Sequence, residues 1–199
     1  RNEMKSQTNH DWYHLNGNWN EWQRLEWKFR IPKGFQPTTK FCHLHQLKAQ
    51  EGNNGAPLIT ISTRCDEDGG NKRVQVIHTG DTRTSGKGVI IDNLPLADFE
   101  DEWIQVETEM HYTHHGTFRI KLTRISDGKV LADQSFADVD LWRKGATSIR
   151  NKFGIYRSLG RKMQSASDRP DNGLKDESLQ LADFKVYEAH TNPNPQPHD

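Results

Sequence analysis

Hydrophobic and polar positions alternate along most of this chain, as they must where successive side chains point to opposite faces of a half-buried strand. In residues 23–31, Leu25, Trp27, Phe29 and Ile31 fall on one side and Arg24, Glu26, Lys28 and Arg30 on the other. Residues 103–112 set Ile104, Val106, Thr108, Met110 and Tyr112 against Gln105, Glu107, Glu109 and His111. Residues 117–125 repeat the pattern with Phe118, Ile120 and Leu122. The Ser126-Asp127-Gly128-Lys129 turn then predicts a tight hairpin into a strand over 130–136. Further strands are predicted over 41–49, 57–64, 73–79, 149–158 and 177–188, the last with Leu179, Leu181 and Val186 as its apolar positions. Residues 7–22 and 79–88 read as polar loops, 160–175 as a disordered segment, and 138–144 as a short helical turn.

About ten short strands separated by turn signals, without a convincing helix, predict an all-β fold. The expected form is an antiparallel two-sheet β-sandwich, a β-jelly roll with a concave substrate groove. Residues 1–190 are read as a single domain and 191–199, with three prolines and no core residue, as a loose tail.

Hydrophobic residues are 32% of the 199, and mean hydropathy is −0.95, which fits strands that each show one face to water. The 27 basic and 27 acidic residues cancel, so no global field argues for nucleic acid, and no run of about 18 apolar residues argues for a membrane span. Electrostatic recognition must come from local segregation of charge. The chain opens on Arg1 in strand-like sequence, so either a leader was removed or a longer protein precedes it. Cys42 and Cys65 lie near facing ends of a predicted hairpin, which leaves one disulfide open.

The segregation is clearest over 149–158. Ile149, Phe153 and Ile155 suit a core, whereas Arg150, Lys152, Gly154, Tyr156 and Ser158 present two cations and a phenol. The glycine between them is expected to clear room for a ligand to lie flat. Over 41–49, Phe41 and Leu47 share a face with His43 and His45, which predicts core histidines; Gln46 and Lys48 take the other face with Cys42 and Leu44. His111, His114 and His115 lack partners at zinc spacing, and 66–70 reads as a turn.

Three segments in order resemble the strand motifs of jelly-roll polysaccharide lyases of the alginate lyase type. Those motifs run R-x-E-x-R, Q-[IV]-H and Y-F-K-x-G-x-Y-N-Q. Here stand Arg1-Asn2-Glu3-Met4-Lys5, Gln46-Leu47-Lys48 and Lys152-Phe153-Gly154-Ile155-Tyr156. With Leu181-Ala182-Asp183-Phe184 near the end, the whole is most similar to the glucuronan lyases, polysaccharide lyase family 20. The resemblance implies β-elimination on a β-1,4-linked polyuronate, glucuronan first and alginate second, leaving an unsaturated uronic acid end. It implies Gln46 for binding the substrate carboxylate and Tyr156 as general acid, and leaves a second role as base open to it, with Lys152 and Arg150 on its face. Arg1, Lys5, Lys48, Arg150, Lys152, Arg157 and His43 become substrate-binding candidates, with Glu3 holding the cations in place.

Two departures matter. Lys48 stands where the motif has histidine, so the base is expected upstream, at His10 or His14; Arg157 replaces the motif asparagine. The resemblance implies no cofactor for catalysis and allows a structural calcium with Asp183 as a candidate ligand. It further implies a secreted monomer whose partner is an acidic polysaccharide. A carbohydrate-binding module or lectin on the same sandwich is the alternative. A concanavalin-like glycoside hydrolase is disfavoured, because the predicted groove strands show Gln, Lys, Arg and Tyr rather than a carboxylate pair.

Overall fold

A computed structural model describes residues 2–6, 15–82, 84–158 and 174–189. Eleven strands run through them: β1 (Asn2–Lys5), β2 (Trp22–Arg30), β3 (Cys42–Gln50), β4 (Ile59–Arg64), β5 (Arg73–His78), β6 (Gly88–Pro95), β7 (Ile104–His111), β8 (Gly116–Arg124), β9 (Val130–Val139), β10 (Ser148–Arg157) and β11 (Gln180–Ala189). They form two antiparallel sheets, one ordered β1-β10-β3-β4-β5-β6 and the other β11-β2-β7-β8-β9. This is the expected all-β sandwich. Among the described residues no helix is long and apolar enough to cross a membrane.

The alternation read from the sequence becomes burial. β2 and β7 alternate buried and half-buried positions along their whole length, and Leu25, Trp27, Phe29, Ile104, Val106 and Met110 enter the core. Trp27 is fully buried between the sheets, its ring 5.5 Å from Phe29 and 5.1 Å from Phe153 of the opposite sheet. A large apolar side chain buried this way contributes roughly 1.5–3 kcal/mol.

One expectation is corrected and two open points are filled in. Residues 88–95, left unassigned by the pattern, form β6, an edge strand with two register shifts whose exposure does not alternate. Residues 138–144 form no helical turn: β9 continues to Val139, past an Asp138 at φ 53°; a 3-10 turn occurs instead at Leu96–Asp98. Cys42 and Cys65 are both buried free thiols, with Cys65 Sγ on the Pro37 carbonyl at 3.6 Å.

Candidate active site

The six-stranded sheet has one face on the core and one outward, and two bulges decide which side chains share the outer face. Between β3 and β4 the register passes from His43↔Ser62 to His45↔Ile61, so Leu44 is an extra residue. Leu44 and His45 therefore both turn inward, while His43 turns outward. His45 packs on Trp27 and Phe153, with ring centroids 5.3 and 4.8 Å away, and its Nε2 lies 3.1 Å from Asn151 Oδ1. It is the core histidine the pattern predicts. His43 is not: it stacks on Phe41 at 4.7 Å and its Nδ1 lies 2.7 Å from Ser62 Oγ, both on the outer face.

The second bulge, in β10, lies between the pairs Phe153↔His45 and Tyr156↔His43. Gly154 is there, at φ 133°, but not to make room for a ligand. A Cβ would lie 2.7 Å from the Glu3 Cα, so the missing side chain admits the backbone of β1.

Cross-strand registers then order the outer face in rows. One holds Lys5, Lys152, Gln46 and Thr60; the next holds Tyr156, His43, Ser62 and Gln75. On the opposite flank of the first row, Arg150 faces Lys48. The centre of the first row is Glu3, which reaches in from β1. Gln46 donates its amide to Glu3 Oε1, and Lys152 Nζ lies 3.3 Å from Glu3 Oε2. Gln46 is 1% exposed and the Lys152 and Glu3 side chains 4% each, so this amide–carboxylate–ammonium cluster forms the floor, with solvent excluded. Electrostatic interactions are strongest where water is absent.

Above the floor, Ser62 donates its hydroxyl proton to Thr60 Oγ1 at 3.1 Å. Ser62 Oγ is thereby left as acceptor for His43 Nδ1–H, and His43 Nε2 keeps its lone pair. Burial first, then the charges of Arg64 and Lys48, hold the His43 pKa down at about 4. A neutral imidazole thus stands next to Tyr156 at neutral pH.

The structure therefore brings together Gln46, Lys152, Lys5, Lys48, Arg150, His43 and Tyr156 of the predicted residues. Arg157 is set apart: it follows Tyr156 and so points to the other face, where it donates to the Lys175 carbonyl and lines a cavity with Asp176 and Glu177. Arg1, His10 and His14 lie outside the described residues. Asp183 sits on a bulge of β11 with its carboxylate 2.5 Å from Lys28 Nζ, and no group of three or more His, Cys, Asp or Glu side chains gathers among the described residues. A single carboxylate already neutralised by an ammonium does not supply a calcium shell. The sequence reading missed Phe41, Thr60, Ser62, Arg64 and Gln75 on the outer face. The polar alternation Thr60, Ser62, Arg64 was the signal available.

No family model matches this sequence, and no curated protein does. Among solved structures, the family 7 alginate lyase A1-II′, a doubly substituted form in complex with the substrate GGMG, is similar over 98% of this chain and 72% of its own. The TM-score is 0.61 at 10% identity. The same lyase at 1.0 Å aligns over 95% and 71%, with TM-score 0.53 at 13% identity. An alginate lyase from Pseudomonas aeruginosa aligns over 87% and 68%, with TM-score 0.50 at 15% identity. At such identities the likeness is one of fold, and the fold is that of the jelly-roll alginate lyases.

Proposed function

We propose that this chain is a polysaccharide lyase that cleaves a β-1,4-linked polyuronate, glucuronan first and alginate second, by β-elimination. The observation that carries the reading is the convergence of the Gln46 amide and the Lys152 ammonium on one carboxylate beside Tyr156. The solved lyase A1-II′ that shares the fold is itself held with a substrate oligosaccharide, which supports a saccharide in this groove.

The chemistry needs three services. The C5 proton of a uronate is very weakly acidic until its carboxylate charge is neutralised, and preorganised donors in a dry site do this best. Gln46 has a second N–H beyond the one given to Glu3, and Lys152 adds positive charge next to it. A base then removes the C5 proton, C4=C5 forms as the C4–O4 bond breaks, and an acid protonates the departing O4. Tyr156 is the acid. The base is His10 or His14, and His43 binds the sugar as a neutral partner. Lys5, Lys48 and Arg150 hold neighbouring uronates. Glu3, Gln46 and Lys152 thus form the floor and Tyr156 supplies the acid.

The test is incubation with glucuronan, alginate and other polyuronates while ultraviolet absorbance of the unsaturated product is followed. The lyase reading expects a rising signal on at least one of them. Binding without any signal would instead identify a carbohydrate-binding module.

A further inference from the structure

The outer face continues past the proposed catalytic row. Two residues beyond Ser62 on β4, about 7 Å along the strand, stands Arg64. It lies directly opposite Arg73 of β5. Like charges facing across a strand pair destabilise a sheet, so each such pair needs an explanation.

Arg73 has one within the chain. Its guanidinium lies 2.8 Å from Asp66 Oδ1, 2.9 Å from the Asn71 carbonyl and 3.4 Å from Asp92 Oδ1. Asp92 is also held by Gln75 at 2.7 Å. Arg64 has none: it makes no hydrogen bond or salt bridge among the described residues, and its Nε is buried without a partner. Burial and the facing Arg73 lower its pKa, partly offset by Asp92.

The opposite end of the outer face also carries a facing cation pair. Arg150 faces Lys48, and the Arg150 Nε is likewise buried without a partner. Lys48 stands one residue past the pair Leu47↔Ile59, so the two opposed cation pairs lie about six strand residues, ~20 Å, apart. Between them lie Gln46, Tyr156, His43 and Ser62. One small anion cannot use both flanks, whereas a polyanion with a carboxylate on each sugar can.

We infer that Arg64 is a carboxylate-binding residue at the far end of the groove, taking a uronate that flanks the one cleaved. The inference rests on the polyuronate reading above. Arginine suits the role because its planar fork binds a carboxylate through two parallel hydrogen bonds. Arg73, already held by carboxylates, positions it by repulsion and raises the local field.

The test compares Arg64→Gln and Arg64→Lys with the parent chain. Kinetics on long polyuronate and on the shortest oligouronate cleaved are set beside calorimetric binding of the polymer and thermal unfolding. Losing a charge-assisted bond should raise KM for the polymer about tenfold, with kcat little changed and the shortest substrate unaffected. Arg64→Lys should recover part of the loss. Relief of repulsion means that neither variant should melt earlier. An unchanged polymer KM, an equal loss on short and long substrates, or a lowered melting temperature in both variants would overturn the assignment. If the parent chain yields no unsaturated product, the lyase reading fails by itself. Calorimetry still decides Arg64 then, since tenfold weaker polymer binding by Arg64→Gln supports it and equal binding rejects it.

Discussion

Tyr156 and His43 face one another across β10 and β3, their ring centroids 6.0 Å apart, with Phe41 closing the cluster edge-on to Tyr156 at 5.2 Å. Neither ring would be there without a bulge. An unbroken β3 would turn His43 into the core, and an unbroken β10 would put Tyr156 out of step with it. The juxtaposition sets an O–H donor beside an imidazole whose Nδ1 is committed to Ser62, so two groups with opposite proton roles share one row.

If Tyr156 protonates the leaving oxygen, Tyr156→Phe removes the proton that the step needs. The ring contacts with Phe41 and His43 are apolar and survive the change. Lyase turnover should fall by about 10²- to 10⁴-fold, the ordinary scale of one general acid, with the melting temperature close to that of the parent. Full activity in this variant would sink the assignment.

The histidines separate by which kinetic parameter they move. His43, a neutral hydrogen-bonding partner, should show its loss in KM: His43→Gln is expected to raise KM by roughly 2- to 10-fold, the value of one neutral hydrogen bond, and to leave kcat nearly intact. His10→Ala or His14→Ala, whichever removes the base, should instead lower kcat by about 10²-fold or more. Should His43→Gln lose kcat while both of the others keep it, the base is His43.

Acid should destabilise the fold through His45. Its folded pKa is depressed to about 4 from 6.5, first by burial and against a hydrogen bond that His45 donates to Asn151 Oδ1, which raises it. An unfolded chain therefore takes up the proton at a higher pH than the folded one. The contribution is fully present above 6.5 and is lost as pH falls through 6.5 towards 4, by about 3 kcal/mol in all. His43 adds in the same direction. Denaturant unfolding at pH 7 and pH 4.5 should show the loss. His45→Gln, which keeps a donor for Asn151, should shrink the difference between the two pH values; an unchanged difference would place the acid sensitivity elsewhere.

What could be read in advance follows from where the period of two holds. β2, β7 and β8 carry no register shift against one another, and their inward residues were all legible. On the outer face of the other sheet, Gln46, Lys48, Arg150, Lys152 and Tyr156 were legible by residue type. His43 was placed on the wrong face because one extra residue, Leu44, reverses the alternation, and no residue type announces such a bulge. Gly154 is expected from the pattern to clear room for a ligand, but what approaches it is the β1 backbone. β6 escaped notice because an edge strand with two register shifts buries few positions and shows no period. Arg64 was overlooked for a different reason: its significance lies in facing Arg73, a cross-strand relation that spacing along the chain does not reveal.

The floor cluster allows stability and function to be pulled apart. Glu3 and Lys152 form a buried ion pair, and removing one partner leaves an uncompensated charge. Glu3→Gln should therefore cost about 3–5 kcal/mol of folding stability, read from the shift in denaturant midpoint. Replacing both, Glu3→Gln with Lys152→Met, exchanges the pair for uncharged groups of similar size and should recover most of that loss. Activity should not return with it, because the positive charge beside Gln46 is gone and the uronate carboxylate is no longer neutralised. A double variant that is both stable and fully active would mean that the floor merely supports the fold, and that the carboxylate is neutralised by Lys5, Lys48 or Arg150.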